Sequence, residues 1–313
     1  MRRLTAALLA PLAVTAALAG CSSSPATTST NASVKVTGSE GKAPTVHIPA
    51  HKAGSTLVTK TLVRGHGLKL TSGDSYLANF DVYRWRGKAN KLIFSSFTST
   101  PQVLPVAIGL TGLQKAIAGQ RVGSRVLAVL PPKFGYGTHG NPQIHINPTD
   151  TLVWVVDLMQ AFPANASASG KNISDGGGSL PTVHGAGGAA PQILVPKTSP
   201  PSKLVVKTLI KGTGVPVKAK QSVVVRYVAS IWRTGKVFND NWPSTTQPTA
   251  PPSLFTLGQV IPGWNTGLVG VPVGSRVMLV VPPAEGYGSK GNAQAGIKGT
   301  DTLVFVVDVL AAT

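Results

Sequence analysis

The stretch "VIPGWNTGLVGVPVGSRVMLVVPP", residues 260–283, has a counterpart in "LTGLQKAIAGQRVGSRVLAVLPP", residues 110–132. The two share "VGSRV" and a closing Pro-Pro, yet Trp264 of the later copy stands where the earlier one has Leu113. Working outward, residues 43–67 align without a gap onto 190–214 at an offset of 147. Residues 122–137 align onto 273–288, and 150–158 onto 301–309, both at an offset of 151. Matches at both ends of each unit, in the same order, mark the duplication of a whole domain. Two copies of this size are two globular domains, not a solenoid.

Each copy is strand-rich. "LVVKTLIKG", "SVVVRYVASIW", "SRVMLVVPP" and "TLVFVVDVL" are dense in β-branched and aromatic residues and bounded by Gly and Pro. The good helical candidate in the second copy is the short "PGWNTGLVG", following an extended "LFTLGQVI". One short helix among several strands predicts an α+β fold, a curved antiparallel sheet burying one face against that helix.

The remaining segments read as address and spacers. Arg2 and Arg3 precede an apolar run from Leu4 to Leu18, then Ala19 and Gly20, so residues 1–20 read as an export signal. The run is too short for a comfortable membrane span. "LAGC", residues 18–21, resembles a bacterial lipobox, which implies lipid modification of Cys21 and anchoring on the extracytoplasmic face of the cell membrane. Cys21 is the only cysteine, so no disulfide forms within the chain. Residues 21–42 are Ser/Thr-rich and read as a flexible tether, and 162–189, Gly-rich, as a linker. The two domains are then 43–161 and 190–313. The linker composition predicts independent domains, and nothing in the sequence calls for a dimer, so a monomer is expected.

The formal charge is +19, spread evenly: each domain has twelve Lys/Arg against four Asp/Glu. Such spreading, without a basic arm or interleaved aromatics, speaks against nucleic acid. It favours contact with anionic lipid or wall polymers.

In the second copy "VVVRYVASIWRTGKVFN", "LFTLGQVIPGW", "VGSRV", "VPPAEGYG" and "TLVFVVDV" follow one another in an order that resembles FKBP-type peptidyl-prolyl cis-trans isomerases, over nearly all of residues 203–311. The resemblance implies an antiparallel half-barrel wrapped around one short helix, with a pocket between helix and sheet. It implies that Trp264 is the pocket floor and that Tyr227, Phe238 and Phe305 are aromatic walls. It further implies that Val260 and Ile261 precede the helix, with the Ile261 backbone N–H holding the substrate carbonyl. Tyr287 would place a hydroxyl at the mouth and Ile297 would close the far side. These seven, Tyr227, Phe238, Val260, Ile261, Trp264, Tyr287 and Phe305, are the expected catalytic set. The reaction breaks no bond and needs no nucleophile, metal or cofactor, and the six histidines show no ligand spacing.

The second copy departs from the family pattern at two places. Asn239 stands where the family has Asp, and Ser253 where it has an aromatic. The first copy departs further: Phe80 replaces the tyrosine, Leu110 stands at the Ile261 position, Leu113 replaces the tryptophan and Trp154 takes the Phe305 position, while Tyr136 is kept. The expectation is a degenerate FKBP-like first domain and a catalytic second one, together assisting the folding of proline-containing exported proteins. The competing expectation is a non-enzymatic holdase on the same scaffold.

Overall fold

The computed structural model describes residues 30–185 and 188–313. The expected export signal, Cys21 and the first part of the tether lie outside the described residues. The first copy comprises β1 (Lys35–Thr37), β2 (Thr45–His47), β3 (Val58–Val63), β4 (Ser75–Trp85), β5 (Lys91–Ser95), β6 (Gln102–Pro105), α1 (Thr111–Ile117), β7 (Arg125–Leu130) and β8 (Thr151–Phe162). Strands β3-β7-β8-β4-β5 lie side by side, with β6 also on β4, in one antiparallel sheet.

The second copy repeats the plan. It contains β9 (Lys171–Asn172), β10 (Thr182–His184), β11 (Gln192–Leu194), β12 (Val205–Lys211), β13 (Ser222–Ile231), β14 (Val237–Asp240), β15 (Ser253–Thr256), α2 (Pro262–Gly267), β16 (Arg276–Val281) and β17 (Leu303–Ala312). Its sheet runs β14-β13-β17-β16-β12-β9, with β15 on β13. In each sheet the last strand of the copy is central: β8 lies between β7 and β4, and β17 between β16 and β13.

Each helix covers the inner face of its sheet. Leu113, Ala116 and Ile117 pack with Val126, Ala128 and Val156 in the first copy, and Trp264 and Leu268 with Leu279, Val281 and Val307 in the second. Helix α2 lies close enough that glycine is required at its contact points. A Cβ on Gly263 would sit 2.7 Å from Val281 Cγ1, and one on Gly267 2.8 Å from Leu279 Cδ2. Pro262 starts the helix, where its missing N–H costs nothing.

The outer faces are buried too, which corrects the expectation of a sheet covered on one side. Strands β7 and β16 are buried at every position, as the unbroken apolar runs "VLAVL" and "VMLVV" after their first residue require. The cover is a two-stranded hairpin in each copy. β1 and β2 pair with Val36 opposite Val46, and β10 and β11 pair with Val183 opposite Ile193. Val34, Val36, Val46 and Ile48 pack on Trp85, Leu127, Val129, Val153 and Val155. Leu180, Val183, Ile193 and Val195 pack on Trp232, Met278, Val280, Val304 and Val306. Burying one such aliphatic side chain contributes about 1.5–3 kcal/mol.

The tether and linker expected to be flexible therefore contain structure. Residues 35–37 are the first strand of one hairpin, 182–184 the first strand of the other, and 171–172 form β9 at the edge of the second sheet. Their apolar residues are few, but each falls on an already apolar sheet. The offset between the hairpins is again 147, so the repeat begins earlier than the sequence matches suggested.

A buried ion pair fastens each hairpin. Arg125 on β7 faces Asp157 on β8, and its Nε and Nη2 donate to the two carboxylate oxygens at 2.6 and 2.7 Å. Arg125 also donates to the hairpin carbonyls of Gly38 (2.8 Å) and Lys42 (2.6 Å), and the Gly41 N–H donates to Asp157 at 2.7 Å. In the second copy Arg276 and Asp308 form the same bidentate pair (2.6 and 2.9 Å), and Arg276 donates to the Gly185 carbonyl at 2.6 Å. Here the Ala168 N–H, from the former linker, takes the remaining carboxylate contact at 2.8 Å.

The domains touch. Leu77 and Phe162 of the first and Val224 and Ala311 of the second are all buried in one cluster, flanked by Val103 and Leu254. The expectation of independent domains is corrected by this shared apolar contact.

Asp308→Asn should leave Arg276 buried without a charge partner and lower the stability of the second domain by about 3–5 kcal/mol. Urea denaturation read by hydrogen exchange at the β16 and β17 amides measures this. An unchanged exchange profile would show that the pair holds nothing.

Candidate active site

Between α2 and the inner face of its sheet lies a cavity of about 630 Å³. All seven expected residues line it: Tyr227 from β13, Phe238 from β14, Val260 and Ile261 from the turn before α2, Trp264 from α2, Tyr287 from the loop after β16, and Phe305 from β17. Trp264 is 4% exposed and sits as a hub. Tyr227, Phe255 and Phe305 meet it edge-on, with centroids at 5.5, 5.2 and 5.5 Å and interplanar angles of 87°, 79° and 87°. Phe238 packs edge-on against Phe305 at 6.1 Å. Rings set on edge around a floor leave a concave space, where stacked rings would fill it.

The turn before the helix is held by Asn265. Its Oδ1 accepts from the Gly258 N–H at 2.7 Å and its Nδ2 donates to the Val260 carbonyl at 3.1 Å. Ile261 is the N-cap, its carbonyl accepting from the Trp264 and Asn265 N–H groups. No hydrogen bond among the described residues takes up the Ile261 N–H, which leaves a donor on a residue that lines the cavity.

The polar rim comes from Tyr227, Asn239, Gln259, Tyr287 and Asn292. The Tyr227 hydroxyl donates to Asn239 Oδ1. Asn239, at the position where the family pattern has Asp, thus keeps the acceptor and drops the charge. Burial pushes the Tyr227 hydroxyl above its ordinary value, and the nearby Tyr287 and Asp240 push it further the same way. Ser253, at the other departure, accepts from Asn241 Nδ2 at 2.9 Å, while Asn241 Oδ1 takes the Tyr227 N–H at 2.9 Å. That serine is therefore part of the lattice that fixes the Tyr227 backbone.

Four lining residues escaped the sequence reading: Phe255, Gln259, Asn292 and Ala295. Phe255 was legible as an apolar strand residue beside Ser253, but only the register of β15 on β13 aims it at Trp264. Asn292 and Ala295 sit in a turn closed by the Asn292–Ile297 bridge. Ile297, expected to close the far side, is instead a core residue at 4% exposure and does not line the cavity.

The first copy holds a different arrangement at the same place. Phe80 lies against Phe94 at 5.1 Å with an interplanar angle of 27°, and against Trp154 at 5.1 Å and 30°. Leu110, Leu113 and Trp154 are all buried in the core. Strand register sets Phe94 opposite Val82, the position that Asn239 holds opposite Ala229. The tyrosine and the asparagine that accepts its hydrogen bond are thus both phenylalanine here. The hydrogen bond has become a near-parallel ring contact.

A family model described as FKBP-type peptidyl-prolyl cis-trans isomerase matches residues 69–159 and again 214–310. An FK506-binding protein of Streptomyces anulatus is 37% identical over 123 residues, 39% of this chain and 95% of its own length. A probable FK506-binding protein of Corynebacterium glutamicum is 34% identical over 122 residues, 39% of this chain and 98% of its own. The FKBP-type peptidyl-prolyl cis-trans isomerase FkpA of Escherichia coli is 36% identical over 107 residues, 34% of this chain and 37% of that protein. With both copies matched and the aromatic cavity in place, the chain belongs to the FKBP-type peptidyl-prolyl cis-trans isomerase family.

Proposed function

We propose that the second domain catalyses prolyl isomerisation and that the first is a degenerate copy without this activity. The observation that carries this reading is the contrast at one position: Trp264 ringed edge-on by three aromatics, against Leu113 buried in a core where Phe80 stacks on Phe94. An X–Pro bond turns over a barrier of about 18–20 kcal/mol because its planar form is held by resonance. The twisted form has lost that resonance and much of its charge separation. Apolar walls around Trp264 accept the twisted form better than the planar one, which lowers the barrier. The Ile261 N–H holds the carbonyl in place during rotation, and the Tyr227 hydroxyl, oriented by Asn239, fixes the rim.

We place the protein outside the membrane, anchored through a lipid on Cys21, with proline-containing segments of exported proteins as clients. The export signal and "LAGC" support this address. The even basic charge supports added contact with anionic lipid or wall polymers. One acyl chain alone holds only marginally, so stable anchoring calls for further chains or such charge contacts.

Trp264→Leu, which copies the first domain's residue, should lower kcat/KM for a short X–Pro peptide at least tenfold in a protease-free NMR exchange assay. Its amide spectrum should remain folded. Undiminished turnover would remove the cavity from the mechanism, while peptide binding without turnover in the unaltered protein would make it a holdase.

Tyr227→Phe should lower kcat/KM by about two- to tenfold, the worth of one hydrogen bond. Because burial raises the Tyr227 hydroxyl above its ordinary value, it keeps its proton to higher pH than a free tyrosine. Any loss of activity through this group should therefore set in above the range of a free tyrosine, and a fall centred below that range would count against this role.

Cys21→Ala should move the protein from the membrane fraction to the soluble fraction of fractionated cells. Retention in the membrane that high salt releases would show that charge, not lipid, holds it there.

A further inference from the structure

A second groove, of about 540 Å³, opens beside the aromatic cavity, and its walls come from both domains. Thr100, Gln102 and Val103 line it from the first domain. Phe255, Gln259 and Val260 line it from the second, and these same three also line the aromatic cavity, so the two spaces share a wall. The strands that flank the groove are β6 and β15. Among the described residues each is paired on one side only, β6 with β4 and β15 with β13, so each keeps an unpaired edge. The edges are held close by the apolar cluster across the boundary, in which Val103 and Leu254 flank buried Leu77 and Val224.

The chemistry of the lining points to one kind of occupant. It carries hydroxyls and amides beside apolar side chains such as Val103 and Leu254, and no charged side chain. A lipid head group or a wall phosphate would call for cations here, and an apolar ligand would leave these groups unpaired. An extended polypeptide presents alternating N–H and C=O groups and pairs with free strand edges. Gln102 donates to the Thr100 carbonyl at 2.9 Å, which sets its amide oxygen as an acceptor at the groove.

We propose that this inter-domain groove holds the polypeptide that flanks the prolyl bond, so that the first domain, its own pocket filled, supplies one wall of the second domain's substrate site. The proposal rests on the reading of the aromatic cavity as the place where the prolyl bond turns. It gives the first domain a task that needs no pocket of its own, and it makes Gln102 and Thr100 determinants of substrate length. A tetrapeptide occupies only the cavity, whereas a longer chain reaches the groove as well.

The test compares two peptides with the same central X–Pro bond on the full chain, a blocked tetrapeptide and a peptide extended by six neutral residues on each side. The expected kcat/KM is about tenfold higher for the long peptide, through KM, and Gln102→Trp, which fills the groove from the first domain, brings the ratio near one. A ratio near one in the unaltered protein, or an unchanged ratio in the variant, overturns the proposal. As a second measurement that needs no variant, a nitroxide at either end of the long peptide should broaden the methyl signals of Val103, and sharp Val103 signals with both labels overturn it. If neither peptide is turned over, the isomerase reading fails by itself, and the Val103 signals still report whether a chain lies in the groove.

Discussion

The fold depends on a pair of opposite charges placed where water does not reach. Arg125 with Asp157, and Arg276 with Asp308, sit across adjacent central strands, each nearly fully buried. Buried charges are tolerable only when their remaining hydrogen-bonding capacity is met. The spare N–H groups of both arginines reach backbone carbonyls of the covering hairpins, so the cover is the condition for the charge as much as the charge is the anchor for the cover. With the cover in place, the sheet can be apolar on both faces, and the inner face is left to hold a helix and, in the second copy, a cavity.

In that inner face the two copies carry different ring arrangements on one scaffold. Four positions differ together: Tyr227 and Phe80, Asn239 and Phe94, Trp264 and Leu113, Phe305 and Trp154. Losing the tyrosine hydroxyl removes the need for an acceptor, so Phe94 can stack where Asn239 accepts. The smaller Leu113 and the larger Trp154 share one buried cluster, in which Trp154 packs against Phe80. The changes are coupled through packing density, since a tryptophan restored at Leu113 would compete for space with Trp154.

Much of this was legible in the residues. The duplication, the strand-rich halves, the short helix at "PGWNTG" and the seven lining residues follow from spacing and from family resemblance. The hairpins were not, because "SVKVTGSEGK" and "SLPTVHGAGGAA" are too polar and glycine-rich to read as ordered by composition. Their few valines gain a surface only when a distant sheet offers one. The missed signal lay in the sheet: strands reading "RVMLVV" without alternation announce a second cover. Phe255, Asn292 and the Phe94–Asn239 correspondence depend on register and turn geometry, which a linear pattern does not reveal.

The central place of the last strand in each sheet has a bearing on time. β8 pairs with β4 so that Ser75 meets Phe162, and β17 pairs with β13 so that Val223 meets Ala312. Contacts of such sequence separation require long loops to close before any pairing rewards them, and proteins built on them fold slowly. Neither sheet can be completed until its last strand is present, and the hairpin that emerges first has no surface to rest on until then. The chain's 25 prolines add X–Pro bonds whose isomerisation is slow, the class of process that its family accelerates.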